Sequence, residues 1–272
     1  MAAPHRTALV TGASSGIGRA TADLLAARGW TVVGASRRGT GSTSPHRPWQ
    51  GLVMDVDDDA SVEAGIAAVL AEHGRVDALV AAAGWGLAGP VETTSLAQAQ
   101  AQVETLLWGV VRPAVALLPS MRVCGSGRIV VVGSIGGVVA LPFQAYYSAA
   151  KFAVEGWAEA LAYEVAPFGV HVTVVEPGNV STGFTDARRT ADGDGGPYRA
   201  AAERAVEVMA RDERAGVAPA VVAEAVLRQL EARRPRRRVS VGRAGERVGI
   251  VAKRALPHRW FEAVAKGSLG LD

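Results

Sequence analysis

The stretch Thr7-Ala-Leu-Val-Thr11-Gly12-Ala-Ser-Ser-Gly16-Ile-Gly18-Arg19-Ala-Thr-Ala-Asp-Leu-Leu-Ala-Ala-Arg28 decides the fold. Its first five residues have the length and apolar content of a buried strand. Residues 19–28 have amphipathic helical periodicity and stop at Gly29. A glycine-rich turn between a strand and a helix lets the backbone approach a pyrophosphate seated on the helix N-terminus. The glycines are spaced Gly-x-x-x-Gly-x-Gly rather than Gly-x-Gly-x-x-Gly. Alone such a turn is a tight connection; between strand and helix it reads as a dinucleotide cradle.

The chain outward from this unit keeps alternating. Strands are expected at 30–35, 51–56, 76–84, 128–133, 170–176 and 238–242, and helices at 57–73, 94–118 (closed by Pro119), 147–166 and 219–233. Residues 39–50 read as a Gly/Ser/Pro loop. That alternation predicts an α/β fold, a doubly wound parallel sheet of Rossmann type in three α/β/α layers, forming a single domain over 1–272. At 272 residues and 49% hydrophobic, one full-sized core is expected rather than two small ones.

Residues about 179–215 are too long for an ordinary connection and read as a substrate lid with a helix over 198–211; a disordered insertion is the bland alternative. Residues about 243–272 read as a C-terminal cover. Their apolar set, Ile250, Val251, Leu256, Trp260, Phe261 and Val264, suits the substrate mouth or a subunit contact; a membrane-surface helix is the alternative.

The second strand ends in Ser36-Arg37-Arg38, where an acid would bind the ribose of NAD. Cations there favour the 2′-phosphate of NADP, which a guanidinium pairs bidentately. Asp55 follows the third strand, where an adenine amino group would lie. Between the fifth strand and the next helix lies Ser134-Ile-Gly-Gly-Val-Val-Ala-Leu-Pro-Phe-Gln-Ala-Tyr-Tyr147-Ser-Ala-Ala-Lys151. Tyr147 and Lys151 share a helix face at i,i+4. An ammonium beside a phenol lowers its pKa toward a useful range, and Ser134 can hold a substrate oxygen.

The formal net charge is +3, and the densest basic run is Arg233-Arg-Pro-Arg-Arg-Arg238. It reads as a solvated turn edge; nucleic-acid binding lacks a groove-reading element. The single cysteine, Cys124, precludes an intrachain disulfide and fits a reducing cytoplasm. The N-terminus has no long apolar leader, and no unbroken apolar run reaches the ~20 residues of a membrane span. No metal site is expected.

Taken together, Thr11-Gly12-x-x-x-Gly16-x-Gly18, Asp55-Val56, Ser134, Tyr147-x-x-x-Lys151 and Pro177-Gly178 followed by Thr182 resemble the short-chain dehydrogenase/reductase family in its single-domain form. Ser134 precedes the tyrosine by thirteen residues, as in that family. The resemblance covers about Thr7 to Thr182 and is looser beyond. It implies hydride transfer between a nicotinamide cofactor and an alcohol/carbonyl pair. Tyr147 would donate the proton in reduction, Lys151 would bind the nicotinamide ribose and tune the tyrosine, and Ser134 would orient the carbonyl. Gly12, Gly16 and Gly18 would accept the pyrophosphate and Thr182 the carboxamide. The implied cofactor set also takes in Ser14, Ser15, Ile17, Val56, Ala82, Ala83, Gly84, Pro177, Gly178 and Val180.

The chain looks most like members acting on bulky hydrophobic carbonyls, of hydroxysteroid or retinol type, and family habit implies a homodimer or homotetramer through 94–118 and 147–166. Two departures stand out. The family's Asn-Asn-Ala-Gly is Ala81-Ala82-Ala83-Gly84 here, and Leu106 stands where the family places a catalytic Asn. The second departure leaves open reduction of an imine or conjugated double bond, or a catalytically weakened dinucleotide sensor.

Overall fold

The computed structural model describes residues 6–42, 48–268 and 270–271; the middle of the 39–50 loop and the extreme N-terminus lie outside them. In chain order the elements are β1 (Thr7–Thr11), α1 (Gly16–Ala27), β2 (Thr31–Ser36), β3 (Gln50–Val53), α2 (Asp59–His73), β4 (Ala78–Ala81) and β5 (Leu87–Ala88). Then come α3 (Leu96–Val103), a π-helical turn (Glu104–Trp108), α4 (Gly109–Val123), β6 (Gly127–Val132), α5 (Ala145–Val165) and β7 (Val170–Pro177). The chain finishes with β8 (Arg189–Thr190), α6 (Arg199–Arg214), α7 (Pro219–Glu231), β9 (Arg238–Val241), α8 (Ala244–Ala255) and α9 (His258–Ser268).

Seven strands form one parallel sheet in the order β3-β2-β1-β4-β6-β7-β9. The order reverses between β1 and β4, which opens a crevice at their carboxyl ends. Both faces are covered. One layer packs Val110, Leu117, Val154 and Leu161 against Leu9, Leu79 and Ile129. The other packs Ala22, Leu25, Val226 and Leu230 against Val10, Val80 and Val130. Near-continuous apolar strands are what a parallel sheet buried on both faces requires.

Two expectations about elements are corrected and one element is added. The third strand ends at Val53, not 56: the amide of Asp55 donates to Ser61 Oγ (2.9 Å) and the chain turns away from the sheet. The long helix does not close at Pro119. Proline removes one helical N–H but leaves the far side of the helix intact, and Leu117 and Met121 are buried against the sheet on either side of it. The helix ends only before Gly125, which takes a left-handed φ of 63°. The pair β5–β8 is too short to read from sequence; it joins the loop after β4 to the segment after β7.

Among the described residues, Leu96–Val123 is long and apolar enough, by length and composition, to cross a membrane, although it contains no unbroken apolar run of that length. Its residues Val110, Ala114, Leu117 and Met121 belong to the core.

Candidate active site

The glycine turn is shaped by close backbone approach. A Cβ on Gly12 (φ +68°) would sit 2.8 Å from the Ala82 carbonyl, and one on Gly18 would sit 2.4 Å from the Gly12 oxygen. Buried Thr11 Oγ1 accepts from the amides of Ala82 (3.1 Å) and Ala83 (3.3 Å), so the last two alanines of the altered Ala-Ala-Ala-Gly segment are fixed to the Thr11 side chain at the end of β1. Ser15 caps α1 without a side-chain bond, and no acid occupies its first turn. The helix N-terminus is therefore free to receive an anion.

Across the turn, Thr182 lies 3.6 Å from where a Gly16 side chain would begin. Among the described residues, Ser36 Oγ at the end of β2 is buried with no hydrogen-bond partner, and the exposed Arg37 and Arg38 make no ion pair. A cradle that only glycine fits, an uncapped helix end and an orphaned hydroxyl suit a dinucleotide.

Every residue proposed from sequence lines a single cavity of about 880 Å³. Ser14, Ile17, Val56, Gly84, Pro177, Gly178 and Val180 surround the cradle, and Ser134, Tyr147 and Lys151 stand at its inner end. Asp55 also lines the cavity, and its carboxylate accepts from the amide of Asp57 (3.1 Å). Beyond Tyr147 the wall carries Trp85, Val139, Leu141, Pro142, Phe184 and Phe261, with Gln144, Arg189 and Glu213 as polar members.

Ser134 lies two residues beyond β6 and accepts from the amide of Gly136 (2.9 Å) while hydrogen-bonding the Tyr147 phenol. Lys151 is buried and donates to the Val132 carbonyl (2.8 Å), with Nζ 5.9 Å from the Tyr147 ring centre. The expectation that Lys151 lowers the phenol pKa is not met in this arrangement. Burial pushes the phenol up, opposed by the Ser134 hydrogen bond, and the lysine head is turned onto Val132. Burial lowers Lys151 to about 8, with Glu155 pulling the other way. The tyrosine is thus held as an un-ionised phenol, the form that gives a proton.

Sequence reasoning missed four contributors. Glu155 lies one turn beyond Lys151 on the same face of α5. It is buried, raised to about 7 by desolvation, and paired to Arg238 (2.9 Å), with its other oxygen unpartnered. Its i,i+4 spacing was the available signal. Phe184 meets Tyr147 edge-on with ring centres 6.1 Å apart. Glu213 lines the cavity, accepts from Thr185 Oγ1 (2.5 Å) and pairs with buried Arg188. Phe143, four residues before Tyr147, has φ 60° and accepts from the Gly89 amide (2.8 Å).

Leu106 is 1% exposed, sits in the π-helical turn and touches the cavity beside Gly84. π-turns recur at functional sites. Around this one Trp85 donates to Thr105 Oγ1 (3.0 Å), and Thr105 Oγ1 donates to Asp57 (2.7 Å).

The short chain dehydrogenase family matches residues 6–193. A 3-ketodihydrosphingosine reductase of Bacteroides thetaiotaomicron is 39% identical over 236 residues, covering 86% of this chain and 87% of that protein. The 17-beta-hydroxysteroid dehydrogenase type 1 of Homo sapiens is 39% identical over 65% of this chain and 58% of its own length. A short-chain dehydrogenase crystal structure from Streptomyces avermitilis superposes with a TM-score of 0.84 at 32% identity, over 98% of this chain and 100% of that one. Other solved structures of the same fold hold NAD or NADP.

Proposed function

The chain belongs to the short-chain dehydrogenase family, and from that premise we propose that it is an NADPH-dependent reductase of a hydrophobic carbonyl compound, with Tyr147 as general acid. The observation that carries this reading is the convergence of Ser134, Tyr147 and Lys151 in the glycine-cradled cavity, which Trp85, Phe184 and Phe261 also line. Arg37 and Arg38 at the end of β2 support NADP over NAD, because an acid there would repel a 2′-phosphate and a guanidinium pairs with it. Trp85, Leu141, Pro142, Phe184 and Phe261 support a bulky apolar substrate, as does the likeness to proteins named for sphingoid and steroid substrates.

The dinucleotide, when bound, supplies the hydride. Ser134 holds the substrate oxygen, and Tyr147 gives it a proton from a phenol whose burial favours the protonated form. Lys151, fixed on Val132, offers donors to a ribose at the same position. The segment 179–215 acts as the lid and 243–272 as the cover. The protein works in the cytoplasm on a small molecule, without a nucleic-acid partner or membrane span. It forms a homodimer or homotetramer through α3–α4 and α5, where Trp108, Val115 and Tyr163 are exposed.

The test is steady-state reduction of a panel of hydrophobic ketones with NADPH and with NADH. Preference for NADPH with turnover is expected. NADH preference overturns the cofactor assignment. Tight NADPH binding with no turnover of any ketone replaces the reductase by the sensor, the reading that the apolar Leu106 favours.

A further inference from the structure

The last two helices divide the apolar residues of the C-terminal segment into two groups. Ile250 is buried and Phe261 lines the cavity. Val248, Val251, Leu256 and Trp260 are exposed. On α8, Ala244, Val248, Val251 and Ala255 are exposed and recur at three- and four-residue spacing, one continuous stripe on the outer face. Val248 is 63% and Val251 65% exposed, and Trp260 on α9 is 71% exposed. The opposite face of α8 is the anchored one. Lys253 donates to the Val138 carbonyl, and Glu246 holds the Asn179 side chain at 2.8 Å. The stripe is therefore not the packing face of a displaced helix.

Charge points the same way. Residues 243–272 contain six Lys/Arg against three Asp/Glu, so this segment alone carries the chain's whole formal excess of +3. The remaining residues balance. Arg243, Arg247, Arg259 and Lys266 are exposed on or next to the same two helices, Arg243 donating to the Ala215 carbonyl and Lys266 paired with Glu262. An apolar stripe flanked by cations and ended by a tryptophan is the composition of a helix lying in a lipid interface.

We propose that α8 and α9 form a docking surface for an anionic lipid bilayer, seated beside the cavity mouth. A second copy of the chain is the poorer occupant, because a two-fold contact through this face would set the same arginines against each other. Gly245, Glu246, Gly249 and Phe261 of these helices line the cavity, so a surface-bound protein would receive an apolar substrate from the lipid without passage through water. The docking itself does not rest on the proposed reaction, and its readout is binding, not turnover.

The experiment is co-sedimentation of the full chain with phosphatidylcholine vesicles, with and without phosphatidylglycerol, over a salt series. Binding only to the anionic vesicles, weakening as salt rises, is expected. Val248→Ser/Val251→Ser/Trp260→Ser should cut the partition coefficient by about tenfold or more. Should that variant fail to fold, Trp260→Ser alone makes the same comparison at an exposed position. Arg233→Ala/Arg234→Ala/Arg236→Ala/Arg237→Ala, which removes the other basic run, should retain binding. No binding to anionic vesicles overturns the proposal. So does binding lost with the arginine run but unchanged by the α8–α9 variants, or a wild-type oligomer that these variants dissociate, which would assign the face to a second copy.

Discussion

The two ends of the cavity are built on different principles. At the cofactor end the wall is backbone: Gly12 and Gly18 in contact with neighbouring main chain, and Ala82 and Ala83 held by Thr11. At the substrate end the wall is side chain. Phe184 lies edge-on to Tyr147, Arg188 and Glu213 pair beneath it, and Phe261 reaches in from α9. The first end tolerates almost no added atom, so it suits a ligand of fixed shape. The second changes shape with rotamers, so exchange of a few residues there alters which substrate fits while the cradle stays as it is.

The largest effect expected from breaking this division is on chemistry. Tyr147→Phe keeps the ring against Phe184 and removes the transferable proton. Turnover should fall by about 10²–10⁴-fold with NADPH affinity nearly unchanged, read by single-turnover kinetics beside a binding titration. Unchanged turnover would place the acid elsewhere.

Gly12→Ala attacks the rigid end. Its methyl would meet the Ala82 carbonyl at 2.8 Å in a left-handed backbone, a strain of about 1–3 kcal/mol or more. Calorimetric dinucleotide affinity should collapse while the far-UV spectrum persists. A milder version at the same end is Arg37→Ala. Loss of one charge-assisted bond, about 1.5–3 kcal/mol, should raise the KM for NADPH roughly tenfold to hundredfold and leave NADH alone. Equal losses for both cofactors would count against the 2′-phosphate contact.

Lys151 stands where the two ends meet, and its burial has a sign that can be read. Its folded pKa of about 8 lies below the ordinary 10.5. Between those values the unfolded chain binds the proton more tightly, so folding stability rises with pH from about 8 toward 10.5. Lys151→Met should remove that rise in a melting series; a parallel slope in both proteins would show that the ammonium is not desolvated. The smallest effect is expected at Leu106. Leu106→Asn sets an amide beside the cavity, costing about 1–3 kcal/mol if unpaired. With its amide paired there, the variant should fold, bind NADPH and reduce ketones at least as fast as the wild type. A lowered Tm with no rate gain would mark the pocket as dry by design.

The same division separates what was legible in the sequence from what was not. The cradle, the arginines after β2 and the Ser134–Tyr147–Lys151 set could be read because each depends on local spacing: a strand, a turn, one helix face. The parallel, doubly wound character of the sheet followed from alternation; its strand order is read from the structure. The Arg188–Glu213 pair and the β5–β8 pair join residues whose separation carries no periodicity. The π-turn inserts one residue into an otherwise ordinary helical pattern, which no apolar spacing announces. Pro119 stands inside the helix because the buried Leu117 and Met121 on either side of it hold the helix to the sheet, a tertiary contact that local spacing does not carry. The pKa of Tyr147 was misjudged for a related reason. Helix spacing puts Lys151 near the ring, but the backbone carbonyl of Val132, nineteen residues away, decides where its head points.

The pair β5–β8 is only two residues long, yet it makes two loops mechanically one. Leu87 and Ala88 are locked in register with Arg189 and Thr190, and Arg189 stacks over Trp85 at 4.4 Å. A displacement of the segment after β7 is therefore a tug on Trp85, and through its hydrogen bond to Thr105 on the turn that holds Leu106. The ladder thus ties the two sides of the pocket into one piece of backbone.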